Sequence, residues 1–322
     1  MSTMPPKILV ITPVHHIRGV SEILESIGEV NYLENPTPQD VLNFITNQHA
    51  VFTNPNKSNV FIGPDIMDKG PDLKAICTAS TGLNHIDISY ADKRGISVLS
   101  LKNERDVINK ISSTAEHAFS LMLAAVRHIP QAFDSVKRGE WDYTKFIGRQ
   151  LDYLTIGVVG YGRLGTYFAR YARAFGSRVL VYDPHATIED ESIIHADLDQ
   201  LLKESDVISL HVHATPETTG MVDQMWFSKM KRSVVLVNTA RGEIINETDL
   251  IAFLKENPEA RLSADVISTE ISTKQSSPLI EYAKTASNII VTPHIGGMTV
   301  EGQQIAYTHA VLLLRRFFVD QN

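Results

Sequence analysis

The feature that most restricts the fold of this chain is a glycine-rich turn between an apolar run and an amphipathic stretch. Residues 160–165 read GYGRLG and fit the pattern G-x-G-x-x-G. They directly follow the β-branched run 155–159, and from Leu164 to Phe175 apolar residues recur at helical spacing until Gly176. A strand, a tight glycine turn and a helix in this order predict a parallel α/β sheet with a dinucleotide phosphate site at the helix N-terminus.

The glycines of this turn have separate tasks in such a site. The first makes the tight turn, the second lets the backbone approach a pyrophosphate, and the third lets the helix pack closely on the strand. Asp183 ends the next predicted strand, where a carboxylate accepts hydrogen bonds from the adenosine ribose and repels a 2′-phosphate, so NAD is predicted over NADP. A plain tight turn is the alternative interpretation. The cofactor contacts predicted from these residues are Gly160, Gly162, Arg163, Leu164, Gly165 and Asp183.

The rest of the chain alternates short β-branched runs with helical patterns, which favours doubly wound parallel sheets. The strand candidates are 8–11, 50–53, 75–78, 96–99, 155–159, 179–182, 207–210, 234–238 and 289–292. Residues 112–127 and 299–318 are predicted helices, 134–143 is a polar segment, and Asn246 is a plausible helix N-cap. A chain of 322 residues with 43% hydrophobic content can bury two ordinary cores, so two domains are expected.

Charge and apolar run length exclude several classes of partner. The 30 basic and 37 acidic residues give a net charge of -7 without a Lys/Arg cluster, so nucleic acid is not expected as a partner. The longest apolar runs are far below the roughly 18 residues that span a bilayer, so no membrane contact is expected. The N-terminus enters a predicted strand without an apolar leader, and Cys77 is the single cysteine, so we expect a soluble cytoplasmic protein.

Three residues C-terminal to the glycine turn suit a hydride-transfer site. They are Arg241 in NTARG, Glu270 after Asp265-Val266, and His294 in PHIGG. A histidine near neutrality can take the proton of a hydroxyl, and a carboxylate beside it fixes its tautomer. A guanidinium offers a substrate carboxylate a planar, bidentate partner. Each residue alone is as well explained by a surface arginine, an exposed glutamate or a capping histidine, but the set together favours a site.

These motifs closely resemble those of the D-isomer-specific 2-hydroxyacid dehydrogenases, the family of phosphoglycerate, glycerate and D-lactate dehydrogenases. The matching segments are 160–165 with Asp183, 238–242 (NTARG), 265–270 (DVISTE), 293–299 (PHIGGMT), 80–84 (STGLN) and 114–117 (TAEH). The resemblance implies that Arg241, Glu270 and His294 are the catalytic set, with His294 as acid and base. It also implies two Rossmann-like domains, with an NAD domain at 106–295 inserted into a substrate domain formed by 1–105 and 296–322. The helix after Thr299 would then pack on the N-terminal core.

The resemblance also implies ligand contacts and an assembly. Cofactor contacts would come from Thr114, His211, Thr239, Ala240 and Asp265, the last holding the nicotinamide carboxamide. Substrate contacts, on a small 2-hydroxy or 2-keto acid, would come from Ser80, Thr81, Gly82, Arg241 and Lys57. A homodimer formed through the NAD domain is expected.

Several positions depart from the family or allow other interpretations. Ile267 and Ile271 replace residues common in the family, and 103–110 is more charged than the family's hinge. Lys57 follows a predicted strand, where members with phosphorylated substrates often carry a cation, although a solvated loop lysine is the favoured interpretation. His211 and His213 alternate as a metal pair would, but no third ligand is near in sequence, so no metal is predicted. A non-catalytic NAD(H)-sensing corepressor on the same fold is the alternative function.

Overall fold

The computed structural model describes residues 5–55, 60–188, 190–270 and 277–319. The chain divides into a first unit, Met1–Ile111 with Met298–Asn322, and a second unit, Ser112–Gly297. The chain therefore leaves the first unit and later returns to it, which is the inserted arrangement that the family resemblance implied. The boundaries predicted after residues 105 and 295, and the substrate and cofactor roles given to the two domains, stay predictions.

The first unit is built on a parallel sheet, which within the described residues has five strands in the order β2-β1-β3-β4-β5. The strands β1, β3 and β4 are apolar and buried on both faces, as strands covered by helices on both sides must be. The strands are β1 Lys7–Val10, β2 Glu29–Tyr32, β3 Ala50–Thr53, β4 Ala75–Thr78 and β5 Ser97–Leu99. The helices in the N-terminal part of this unit, before Ser112, are α1 Val20–Ile27, α2 Pro38–Phe44, α3 Pro64–Lys69, α4 Ile88–Lys93 and α5 Arg105–Ile108.

The second unit contains a parallel sheet with seven described strands, in the order β12-β11-β10-β9-β6-β7-β8. Because the order reverses between β6 and β9, a crevice opens at their carboxyl ends, where open α/β sheets bind ligands. The strands are β6 Thr155–Val159, β7 Arg178–Tyr182, β8 Ile194–His195, β9 Val207–Leu210, β10 Val235–Asn238, β11 Arg261–Ala264 and β12 Ile289–Val291. The helices are α6 Ser113–Val126, α7 Ile129–Lys137, α8 Arg163–Ala174, α9 Leu198–Glu204, α10 Gln224–Lys229, α11 Glu247–Glu256 and α12 Pro278–Ala283. Short 3₁₀ turns lie at Tyr143–Phe146, Leu151–Tyr153 and Gly242–Ile244, and one in the first unit lies at Ile45–Asn47.

The last helix, α13 Val300–Phe318, belongs to the first unit. Its buried face, which includes Tyr307, Val311 and Leu314, packs on the core formed with α1 and β4. The thiol of Cys77 on β4 is buried there and lies 3.2 Å from the carbonyl oxygen of Ala310, and burial raises the pKa of this thiol. The core that this helix joins is therefore the N-terminal one, as the family resemblance implied.

The structure differs from the sequence predictions where local patterns are weak. The strands β2, β8 and β11 were not predicted, because polar residues interrupt the apolar pattern of β2 and β11 and because β8 has only two residues, both exposed. The segment predicted as polar from residue 134 begins inside helix α7, whose Phe133 is 65% exposed. The apolar stripe of α8 ends before Phe175, which lies beyond the helix and is 53% exposed. Among the described residues, no helix combines the length and the apolar character that crossing a membrane requires.

Candidate active site

The glycine turn after β6 forms an open cradle at the N-terminus of α8. Gly160 has a φ of +91°, and a Cβ there would lie 2.7 Å from the carbonyl oxygen of His211. A Cβ at Gly165 would lie 2.0 Å from the carbonyl oxygen of Gly160. A Cβ at Gly162 would meet no described atom within 4 Å. The turn is thus closed towards the protein and open at the helix N-terminus, which fits a dinucleotide pyrophosphate.

The carboxylate of Asp183 ties the end of β7 to this turn. One oxygen accepts a hydrogen bond from the backbone N–H of Tyr161 at 2.7 Å. The other accepts from the N–H groups of His185 at 2.8 Å and Ala186 at 3.1 Å. A negative charge is therefore fixed beside the glycine turn, at the position predicted to receive the adenosine ribose.

Asn238 gives the NTARG segment its shape at the end of β10. Its side-chain oxygen accepts from the N–H of Ala240 at 3.0 Å, and its amide donates to the carbonyl of Arg241 at 2.9 Å. The neighbouring Thr239 is buried, and its hydroxyl has no hydrogen-bond partner in the described part of the chain. An orphaned buried hydroxyl at this edge fits a polar ligand such as a dinucleotide.

The Arg241 side chain is partly buried and lies near two carboxylates. Its Nη1 donates to the carbonyl oxygen of Ala240 at 2.6 Å. Burial lowers the pKa of Arg241, while the carboxylates of Glu270 and Glu243 act in the opposite direction. Since an arginine titrates far above neutrality, the side chain remains a cation that is partly shielded from water and interacts with Glu270.

His294 and Glu270 are paired, although 24 residues separate them in the sequence. Nδ1 of the imidazole contacts Oε1 of the carboxylate, and the two side chains are 21% and 17% exposed. His294 follows β12 with a φ of +54°, in the left-handed region that costs a non-glycine residue about 1–3 kcal/mol. Its backbone N–H donates to the carbonyl of Asp265 at 2.9 Å, so the surroundings hold this conformation.

The turn that carries Glu270 rests on the NTARG segment. A Cβ at Gly242 would lie 2.0 Å from the carbonyl carbon of Ile267, so the two backbones are in direct contact and only glycine fits. Glu247, at the start of α11, accepts a hydrogen bond from the N–H of Ser268 at 2.7 Å. Arg241 and Glu270 are therefore brought together by backbone packing, and the sequence analysis missed the supporting Glu247, for which we find no local signal.

Asp265 is buried directly after β11, and its carboxylate hydrogen-bonds the backbone of the loop after β12. Its two oxygens accept from the N–H groups of Ile295 and Gly296, each at 2.8 Å. Thr292 and His117 contribute further hydrogen bonds. Burial alone would raise the pKa of Asp265, but these hydrogen bonds outweigh it and hold the pKa below its ordinary value. The carboxylate is thus a fixed charge directly beside the His294 backbone.

His211 directly follows β9 and contacts α8, the helix that begins at the glycine turn. Its Nε2 is 2.9 Å from the hydroxyl of Ser209, and its ring lies 5.0 Å from that of Phe168. Burial lowers the pKa of His211 to about 3, so the imidazole is neutral at physiological pH. Within the described residues, no three metal-ligating side chains cluster around it or elsewhere.

In the first unit, the predicted substrate loop follows β4 and is shaped by its own side chains. The hydroxyl of Ser80 donates to the carbonyl of Gly82 at 2.6 Å. The buried His85 reaches the hydroxyl of Thr78 at 3.1 Å, which in turn lies 3.2 Å from that of Ser80. Lys57 lies outside the described residues. The loop was predicted from the sequence, whereas the buried His85 that supports it was not.

Comparison with known proteins adds an independent finding. The family model described as D-isomer specific 2-hydroxyacid dehydrogenase, NAD binding domain, matches residues 119–296. The chain is 36% identical to D-3-phosphoglycerate dehydrogenase of Methanocaldococcus jannaschii over 306 residues, which are 94% of this chain and 55% of that protein. It is also 36% identical to hydroxypyruvate reductase of Thermotoga maritima over 248 residues, 77% of this chain and 78% of that protein.

A solved structure is similar to this chain over nearly the whole length of both. A D-lactate dehydrogenase from Aquifex aeolicus, complexed with NAD and lactic acid, matches with a TM-score of 0.81 at 29% identity and covers 98% of both chains. The chain spans about half the length of the curated phosphoglycerate dehydrogenases that it matches.

Proposed function

The chain belongs to the family of D-isomer-specific 2-hydroxyacid dehydrogenases, and we propose that it passes a hydride between NAD and carbon 2 of a small D-2-hydroxy acid or 2-keto acid. The observation that carries this proposal is the pairing of His294 with Glu270, beside Arg241, at the carboxyl edge of the sheet. An acid and base, its carboxylate partner and a shielded cation form the group that this chemistry requires.

We assign the proton transfer to His294. Because Nδ1 faces Glu270, the proton exchanged with the substrate oxygen would be carried by Nε2. Glu270 holds Nδ1 of the ring and thereby orients Nε2 for the proton exchange. Sequestration of both side chains from bulk water strengthens this interaction.

Arg241 would bind the substrate carboxylate and polarise the carbonyl. The carbonyl of Ala240 engages one nitrogen, Nη1, and a guanidinium has further N–H groups for a bidentate contact. The nearby Glu270 limits the excess positive charge at this position. Ser80, Thr81 and Gly82 remain proposed substrate contacts, by resemblance to the family's loop.

The residues of the second unit fit the cofactor. When bound, the nicotinamide donates or accepts the hydride. Gly160, Gly162, Arg163, Leu164 and Gly165 would hold the pyrophosphate, and Asp183 the adenosine ribose. Thr239 offers a hydroxyl that no described residue binds, and Ala240, Thr114, His211 and Asp265 remain proposed contacts.

A nicotinamide absorbance assay with a panel of 2-keto acids tests the proposal. The panel contains short neutral-tailed acids, dicarboxylic acids and a phosphorylated acid, and NADH affinity is measured in parallel by fluorescence. Turnover with at least one acid is expected. Tight NADH binding without turnover on any of them would favour the alternative, a non-catalytic NAD(H) sensor.

We also propose a homodimer formed through the second unit. On α7 the apolar side chains of Ile129, Phe133 and Val136 are each more than half exposed, at spacings that place them on one helix face. Trp141, at 91% exposure, and Ile147, at 74%, follow in the next segment. Several large apolar side chains exposed on one helix face and in the segment after it are typical of a protein interface, and a second copy of the chain is the partner that we propose.

A further inference from the structure

His117 projects from α6 towards the loop that carries His294, and the sequence analysis gave it no role. Its Nε2 lies 3.0 Å from the hydroxyl oxygen of Thr292 and 3.2 Å from Oδ1 of Asp265. The side chain is only 18% exposed. These contacts join the first turns of α6 to the ends of β11 and β12.

The pattern of donors fixes the tautomer of His117. The Thr292 hydroxyl donates its single hydrogen to the Asp265 carboxylate, which can only accept. Both oxygens near Nε2 therefore act as acceptors towards it, so Nε2 must carry a hydrogen. His117 is thus a donor shared between Thr292 and Asp265.

The Asp265 carboxylate, which His117 contacts, also hydrogen-bonds the backbone around His294. It accepts the N–H groups of the two residues that follow His294, while the Asp265 carbonyl accepts the N–H of His294 itself. The left-handed backbone at His294 needs such restraint on both sides. A Cβ at Gly296 would lie 3.0 Å from Asp265 Oδ2, 3.3 Å from Thr114 Cγ2 and 3.6 Å from His117 Cδ2, so the loop is packed against α6 as well.

We propose that His117 is a positioning residue, which holds the loop carrying His294 in place through the carboxylate of Asp265. The contacts of His117 lead to the His294 backbone through Asp265 and Thr292, whose carbonyls both accept the His294 N–H, so we assign His117 no acid or base role towards the substrate. The expected effect of His117 on kcat rests on the proposed function, whereas its effect on the position of the loop does not.

The test compares two substitutions of His117 that separate the role of its N–H donor from the role of its ring volume. His117→Phe keeps an aromatic ring without the donor, and His117→Gln keeps an N–H donor at similar reach. His49→Phe is the matched control, because His49 is a half-buried histidine that hydrogen-bonds the Lys7 N–H at the amino end of the first unit's sheet. For each variant, kcat, KM for the keto acid, NADH affinity and hydrogen exchange of the Ile295 and Gly296 amides are measured.

We expect His117→Phe to lower kcat by about ten- to a hundredfold with little change in NADH affinity, because a small misplacement of a catalytic group is costly. Exchange of the two amides should become at least about tenfold faster, as the loop opens locally. His117→Gln should restore most of both properties, and the control should match the wild type.

A His117→Phe variant with wild-type kcat and wild-type amide exchange would overturn the inference. A His117→Gln variant as impaired as His117→Phe would also overturn it, because the ring volume and not the N–H donor would then matter. If the wild-type protein reduces no keto acid, the proposed function fails, and the amide exchange still decides the role of His117.

Discussion

Oε1 of Glu270 contacts Nδ1 of His294, and the same carboxylate acts electrostatically on Arg241. One acidic side chain is therefore shared between the proposed acid and base and the proposed carboxylate-binding cation. Glu270 reaches this position because its turn packs on Gly242, the residue after Arg241. The consequences for the reaction can be tested one residue at a time.

Replacing His294 with asparagine should abolish keto-acid reduction while NADH still binds. Asparagine tolerates the left-handed backbone at this position better than most residues, so the loop is disturbed as little as possible. We expect a loss of kcat of about 10²–10⁴-fold, the usual contribution of general acid catalysis. The exposed His195 on β8 provides the control, His195→Asn. More than about a tenth of wild-type turnover in His294→Asn would contradict the assignment.

Arg241→Lys should mainly weaken the binding of the keto acid. Lysine retains a charge but loses the planar pair of donors, so KM should rise by about one to two orders of magnitude with a smaller fall in kcat. Steady-state kinetics with saturating NADH measure this. Arg261→Lys is the matched control, because Arg261 is a partly buried arginine of the same unit at the amino end of β11, away from the proposed site. Equal changes in both variants would remove Arg241 from substrate binding.

Asp183 should make the enzyme prefer NADH over NADPH. A 2′-phosphate would meet a carboxylate already fixed by the Tyr161 and His185 N–H groups. Asp183→Asn should narrow the ratio of the two kcat/KM values by at least about tenfold, which corresponds to about 1.4 kcal/mol. Asp199→Asn, an exposed carboxylate on α9, should leave the ratio unchanged. A wild-type protein with similar kcat/KM for both cofactors would refute the role of Asp183.

The neutral His211 should make the protein less stable in acid. Its pKa is about 3 when folded, against about 6.5 when unfolded, so between these values the unfolded chain binds the extra proton and stability falls as the pH falls. The contribution is up to about 1.36 kcal/mol per pH unit. Urea unfolding between pH 7 and 4.5 should show a shallower pH dependence for His211→Gln than for the wild type. His195→Gln should keep the wild-type dependence, and an unchanged slope in His211→Gln would show that His211 does not contribute.

The exposed face of α7 should determine the oligomeric state. Phe133→Asp places a charge in the middle of the apolar surface and should weaken a dimer at least about 30-fold, the effect of losing about 2 kcal/mol at an interface hot spot. Sedimentation equilibrium of wild type and variant measures this. Met225→Asp, on α10, is the control for a charge at another exposed apolar residue. A wild-type monomer, or a variant dimer as tight as the wild type, would contradict the proposed interface.

Much of the architecture follows from local patterns in the sequence. The β-branched runs at 155–159 and 207–210 are strands with the predicted bounds, and the fingerprint lies between a strand and a helix as expected. Apolar alternation and turn residues act over a few neighbours, so they are visible without the fold. The placement of Arg241 and His294 at strand ends also follows, because parallel strands direct their carboxyl ends to one edge of the sheet.

Only the tertiary structure decided how these residues are held. Three contacts join segments that are far apart in the sequence. Asp265 accepts a hydrogen bond from the loop after His294, the N–H of His117 is donated to Asp265, and Glu247 accepts the N–H of Ser268. The same is true of the return of α13 to the first core, which the family resemblance implied but the helical pattern alone did not show. Such contacts depend on which surfaces meet after folding, and an amphipathic pattern specifies only that an apolar face is buried, not what covers it.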